Sequence, residues 1–278
     1  MKYKVSDLFK KLSLVLSRVF SSFRKNNDLT AASSLAFYAM LALIPALYLL
    51  TFLLSAVVGS SAQALQKTQE LMSEFVPAYS HAILKEVGFI KSHGGAIGLV
   101  NLIVLFWSIT PFVAELRLSL GTIFLKMPSR PFLLEKLFDV AISIIFLIGL
   151  SAVAVAGLVL TLMERIEPLR LIPLYIEEIA PFIVVSGVVF SLYFTFSSKI
   201  GIRRLIMGSL VTSLLWFAMR PAFHLFLMYN PGYGFAFGSF KSLFVVIIWI
   251  YCSLVVFLFG AEIAAASAGT RPSSERNE

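Results

Sequence analysis

The residues best suited to chemistry are two cations and a histidine close together in the chain: Arg220, Lys241 and His224. Arg220 and His224 are four positions apart, so on a helix they share a face. Lys241 opens the next apolar run, and Tyr229 and Asn230 lie in the turn between. A net positive cluster of this kind suits a phosphate or another anionic group. Arg220 is its best donor, because a guanidinium fork matches paired oxygens. The same cations could instead snorkel to lipid headgroups, or pair with Glu164, Glu167, Glu177 or Glu178. A second group, Glu115, Arg117, Arg203, Arg204 and Glu262 with Asp139 nearby, carries both signs. Its members could pair and lock helix ends together. Alternatively they form a gate, with Glu262 or Glu115 carrying protons in coupled transport.

Other chemistries are poorly served. Metal-dependent hydrolysis needs clustered histidine and carboxylate ligands. The histidines are His81, His93 and His224, with no HxH or HxxxH pair among them. No glycine-rich phosphate loop with its lysine, no GxSxG and no paired carboxylates on one helix face occur. Gly232, Gly234 and Gly238 adjoin an apolar helix rather than a strand–helix unit, which fits a tight turn better than a nucleotide loop. Cys252 is the sole cysteine, which excludes an intramolecular disulfide and a cysteine metal cluster. The expectation is a protein without catalytic residues, metal or cofactor, and not an enzyme.

The elements that must position these residues are helices in lipid. A chain that is 59% hydrophobic and 14% charged, with a mean hydropathy of +0.90, has too little polar surface for a soluble sphere. Uncharged runs long enough to cross a bilayer recur. About 20 residues at 1.5 Å rise cover the roughly 30 Å hydrocarbon core. Six spans are expected, at about 31–59, 94–113, 140–162, 179–196, 205–227 and 242–263, within a transmembrane domain of 31–268. Residues 1–30 form a separate basic amphipathic segment. In it Val5, Leu8, Phe9, Leu12, Val15, Leu16, Val19, Phe20 and Phe23 make one apolar stripe between lysines and arginines. That helix lies on an anionic leaflet or packs on the protein's own cytoplasmic face. Asn27, Asp28 and Thr30 offer N-caps for the first span, and Pro45 predicts a kink within it. Residues 60–93 read as interfacial amphipathic helices, 164–178 as an acidic loop, and 269–278 as a polar tail.

Lysine and arginine concentrate in the N-terminal stretch, the 114–136 and 199–204 connectors and the tail, which places both termini in the cytoplasm. The same rule explains the net charge of +8 without invoking nucleic acid. The partners expected are membrane lipids, with an anionic amphiphile as substrate.

Four segments carry a family resemblance. AASSLAFYAMLALIP (31–45), FWSITPF (106–112), GIRRLIMGSLVTSLLW (201–216) and FGSFKSLFVVIIWIYCSLVVFLFGAE (237–262) resemble, in order and spacing, the YihY/BrkB family of bacterial inner-membrane proteins, once labelled ribonuclease BN-like. Lys241 departs from the pattern, which has a small residue there. The resemblance implies an all-α bundle in the inner membrane, and transport of lipid or envelope components in some members. A non-transporting structural or accessory role in envelope integrity is the alternative. The residues give no support to ribonuclease activity.

Overall fold

The computed structural model describes residues 2–58, 95–125, 133–135, 137–145, 173–197, 200–229 and 241–267. The fold is all-α. Six long helices run through these residues: α1 Lys2–Lys25, α2 Asp28–Val58, α3 Gly95–Ile123, α4 Pro173–Phe196, α5 Ile202–Tyr229 and α6 Lys241–Ala266. A shorter helical stretch covers 137–145. Three segments are long and apolar enough to cross a membrane, Ile103–Ile123, Ile202–Tyr229 and Leu243–Ala266, with shorter apolar helices at Asp28–Leu43 and Pro181–Phe196. The expected interfacial helices of 60–93, most of the expected span 140–162, the Gly232–Gly238 turn and the polar tail fall outside the described residues.

Local chemistry sets the helix ends. One short elbow separates α1 from α2. Asn26 N donates to Ser22 O and Asn27 N to Arg24 O, closing α1. Asn27 then adopts φ 55°, a left-handed conformation that asparagine tolerates better than most side chains. Its carbonyl accepts from Thr30 N and Ala31 N, opening α2. Helix α5 starts the same way, with Gly201 O accepting from Arg204 N and Leu205 N. Two boundaries differ from the sequence expectation. Helix α3 continues through Glu115 and Arg117 to Ile123, past the expected span end near 113, and Arg117 pairs with carboxylates on the following segment. Helix α4 begins at Pro173, so Glu177 and Glu178 lie in its first turns and not in a loop. Proline suits a first helical position, where its missing N–H costs nothing. Prolines also sit inside α2, α3, α4 and α5 (Pro45, Pro111, Pro181, Pro221), whereas α6 has none.

Helix α6 is the centre of the bundle. It packs against α1, α2, α3 and α5, while α4 packs chiefly against α5 and reaches α6 through Tyr193, and α2 also covers α3. Two apolar cores lie along it. One joins Leu35 of α2, Val113, Leu116 and Leu120 of α3, Tyr193 and Phe196 of α4, Leu205 of α5 and Leu258 and Ala261 of α6. The other joins Leu47, Val246 and Trp249 with Trp216 and Phe223 packed against them. Together they fix the directions: the start of α2, the ends of α3, α4 and α6 and the start of α5 meet at one end of the bundle. Outward faces stay apolar, as at Met207, Leu210 and Leu214 of α5 and Ile183 and Val188 of α4. Such surfaces require lipid around them.

The approach of α5 to α6 is the tightest packing point described. A Cβ built on Gly208 would lie 2.7 Å from Ala264 Cβ and 2.9 Å from Gly260 O, and one on Gly260 would overlap Thr212 Oγ1. Small residues at such a crossing let helix backbones meet where lipid offers no hydrophobic drive between them. Gly187 of α4, by contrast, faces open space. Gly208→Leu is therefore expected to destabilise the bundle by about 1–3 kcal/mol through overpacking. Gly187→Ala should be neutral or stabilise by about 0.5–1 kcal/mol through helix propensity. Thermal unfolding of both variants in one detergent checks the contrast, and equal shifts would remove the crossing as the reason.

Candidate functional site

The polar residues in the bundle divide into three groups along its length. At the end where α1 and α2 join, Glu262 of α6 is 1% exposed, and Asn26 Nδ2 donates to its Oε1 at 2.5 Å. Asp28, in the first turn of α2, is buried in the same region of the chain's turn. Residue types alone place Glu262 where the helix leaves lipid. The fold instead covers it with the α1–α2 elbow, so the carboxylate joins three helices. Nothing in the residue types singles out Asn26, whose role follows from the left-handed turn at Asn27 beside it.

Arg117 belongs to a separate set. Its Nε donates to Asp139 Oδ1 at 2.7 Å and its Nη2 to Oδ2 at 3.2 Å, while Nη1 lies 3.4 Å from Glu135 Oε1. Asp139 is fully buried, and Ser143 Oγ donates to its backbone carbonyl. A two-pronged pair of this kind fixes the end of α3 against the start of the next helical stretch. Glu115, two residues earlier, is partly buried; Arg203 is exposed and Arg204 half-buried in the first turn of α5. The five residues grouped as a gate thus lie at one end of the bundle, and the described contacts of Arg117 and Glu262 run to different partners.

The middle group was not legible as a site. Tyr193 OH donates to Phe257 O at 2.5 Å and lies 2.9 Å from Thr212 Oγ1. Ser186 Oγ donates to Ser213 Oγ at 2.9 Å, and Trp216 Nε1 donates to Ser253 Oγ at 3.0 Å. These bonds form a seam joining α4, α5 and α6 within apolar segments. The available signal was the run Gly208, Ser209, Thr212, Ser213 at helical spacing. Trp249 is buried against Phe223 with centroids 5.0 Å apart, and against Trp216 at 6.2 Å.

At the opposite end, Arg220 is half-buried, its guanidinium carbon 5.6 Å from the Phe217 ring centroid; Phe217 in turn packs on Phe182. His224 is exposed one turn further along α5. Lys241 opens α6, and its side chain lies outside what the structure describes. Among the described residues, no three His, Cys, Asp or Glu side chains converge as metal ligands. Chemically, this arrangement can hold helices together and attract an anion.

These features define an α-helical membrane protein. The virulence factor BrkB family model matches residues 19–278, and the chain belongs to that family. Similar curated relatives carry the name UPF0761 membrane protein. That of Chromohalobacter salexigens is 23% identical over 90% of this chain, which spans 62% of that relative's length. That of Coxiella burnetii strain RSA 493 is 21% identical over 92% of this chain and 94% of the relative, and that of Pseudoalteromonas atlantica 24% identical over 90% and 84%. No solved structure matches.

The Arg117–Asp139 pair yields a stability prediction. Asp139→Ala is expected to cost about 1.5–3 kcal/mol, because it removes both charge-assisted hydrogen bonds to Arg117 and leaves it the longer contact to Glu135. The double variant Arg117→Met, Asp139→Leu should recover most of the loss, since apolar replacements remove both desolvation penalties. Thermal unfolding in detergent measures both. A double variant as unstable as the single would show that Asp139 acts through something other than Arg117.

Proposed function

We propose that this chain is a non-enzymatic, multi-pass protein of the bacterial inner membrane that moves or senses an anionic amphiphile, such as a lipid or an envelope precursor. Arg220 carries the reading. It lies about 27 Å along α5 from Ile202 at 1.5 Å per residue, close to the full hydrocarbon thickness. A guanidinium that close to the far boundary has headgroup oxygens within reach and gains further from an aromatic face. Phe217 supplies the aromatic face, and among the described residues no ion pair involves Arg220. The oxygens of a headgroup phosphate complete such a site, with His224 and Lys241 as further donors.

Orientation follows from charge. The end that gathers α1, the start of α5 and the end of α6 carries Arg18, Arg24, Lys25, Arg203 and Arg204, and the positive-inside rule makes it cytoplasmic. Arg220 then addresses the outer leaflet. Glu262 and the arginines at the inner end close the bundle there, and the partners are lipids rather than nucleic acid.

Binding of anionic lipid is common to moving and sensing, and is the property to measure. In vesicles of phosphatidylcholine containing spin-labelled phosphatidylglycerol, the wild-type protein should retain the anionic lipid in preference to labelled phosphatidylcholine. Arg220→Ala should weaken that preference about tenfold, the effect of one charge-assisted hydrogen bond worth ~1.5 kcal/mol. Arg220→Lys, which keeps charge but not the fork, should fall between. A wild-type protein without lipid preference, or an Arg220→Ala variant indistinguishable from it, overturns the reading.

A further inference from the structure

The apolar stripe of helix α1 is wider than the bundle covers, and one edge of it stays open. Val19 and Ser22 are buried, and Phe23 stands edge-on to Phe259 of α6 with centroids 5.8 Å apart. One helical step round, four residues apart and so on one face, Leu16 and Phe20 remain 38% and 62% exposed. Phe20 also meets Phe259, at 5.5 Å between ring centroids, yet most of its side chain stays open. Arg18, Arg24 and Lys25 on the same helix are exposed, as is Arg203 at the neighbouring start of α5. This surface lies at the other end of the bundle from Arg220 and stands on different observations.

We infer that the Leu16–Phe20 face of α1 seats in an anionic lipid leaflet while its Val19–Phe23 face is clamped to α6. A helix with large apolar side chains beside arginine and lysine binds such a surface through two additive terms. Apolar area enters the acyl boundary, and each cation gains from the negative surface potential. Charge complementarity selects this occupant over a second copy of the chain, because two α1 helices brought together would oppose their own cations. Water as the sole neighbour would leave the phenyl ring of Phe20 solvated beside a hydrocarbon phase. The two faces together make α1 a wedge: one side reads the leaflet, and the other ends at Asn26, which holds Glu262.

The test uses the full-length protein in a Cys252→Ser background, carrying Phe20→Cys or Leu16→Cys labelled with an environment-sensitive fluorophore. Vesicles of phosphatidylcholine with phosphatidylglycerol are compared with vesicles of phosphatidylcholine alone. In the anionic vesicles both probes should be quenched by lipids spin-labelled near the headgroup end of the acyl chain and protected from aqueous iodide. Combined Arg18→Glu and Arg24→Glu reversal should shift both probes toward iodide quenching, with the thermal unfolding of the bundle unchanged. Iodide quenching of the wild-type background in anionic vesicles overturns the inference. So does protection from both quenchers, which would mean that a second copy covers the face, and so does equal lipid quenching in the two vesicle types, which would make insertion indifferent to charge.

Discussion

Helices in a bilayer gain little by trading lipid contact for contact with one another, since both neighbours are apolar. What separates a specific bundle from loose association is close backbone approach together with polar groups that have no partner in hydrocarbon. In this chain both are provided at one crossing. Gly208, Gly260 and Ala264 remove the side chains that would hold α5 and α6 apart. The space then admits Tyr193 from α4, whose hydroxyl reaches the carbonyl of Phe257 and the hydroxyl of Thr212. The register of the neighbouring helices follows. Trp216 meets Ser253 two turns along from that crossing, and Phe223 meets Trp249 further on. A shift of α5 by one residue would rotate every one of these groups toward lipid.

The charged residues at the end where α1 joins α2 extend the same logic to the outlying helices. Arg117 and Asp139 join α3 to the stretch that follows it, and Asn26 and Glu262 join the α1–α2 elbow to α6. Each contact leaves a buried carboxylate with a donor, as a low-dielectric site demands. Buried pairs of this kind contribute specificity of arrangement more than raw stability, because desolvation offsets much of their attraction. They therefore suit places where the order of helices must be fixed, and here they sit where chain segments of different depth come together.

Much of this architecture was legible from residue types because lipid imposes simple requirements. Length and hydropathy located the helices containing 31–58, 95–113, 179–196, 205–227 and 242–263, and periodicity placed α1. The misjudged boundaries share a cause: Glu115 and Arg117, and likewise Glu177 and Glu178, read as ends of apolar runs, yet polar residues continue a helix when its terminal turns reach partners or headgroups. The partners were least legible. Arg117 and Asp139 could be assigned to one layer by depth, but their pairing depends on how 133–145 folds back. Asn26 depends on a left-handed residue beside it. Tyr193 depends on three helices meeting. Pairings between distant segments are properties of the assembled bundle, and no local pattern encodes them.

Helix α5 brings the parts together. Its first half is tied to α4 and α6 through Gly208, Thr212, Ser213 and Trp216. Pro221 then removes the N–H that would have bonded the carbonyl of Phe217, four residues back. Beyond it Ala222, His224, Leu225 and Met228 are exposed, while Phe223 keeps its contact with Trp249. Arg220 stands at the junction, held over the ring of Phe217. A cation at such a junction has a fixed stem on one side and an open outer surface on the other. The seam that ties α5 to α4 and α6 thus ends one turn before Arg220, and the last turns of α5 are held to α6 by Phe223.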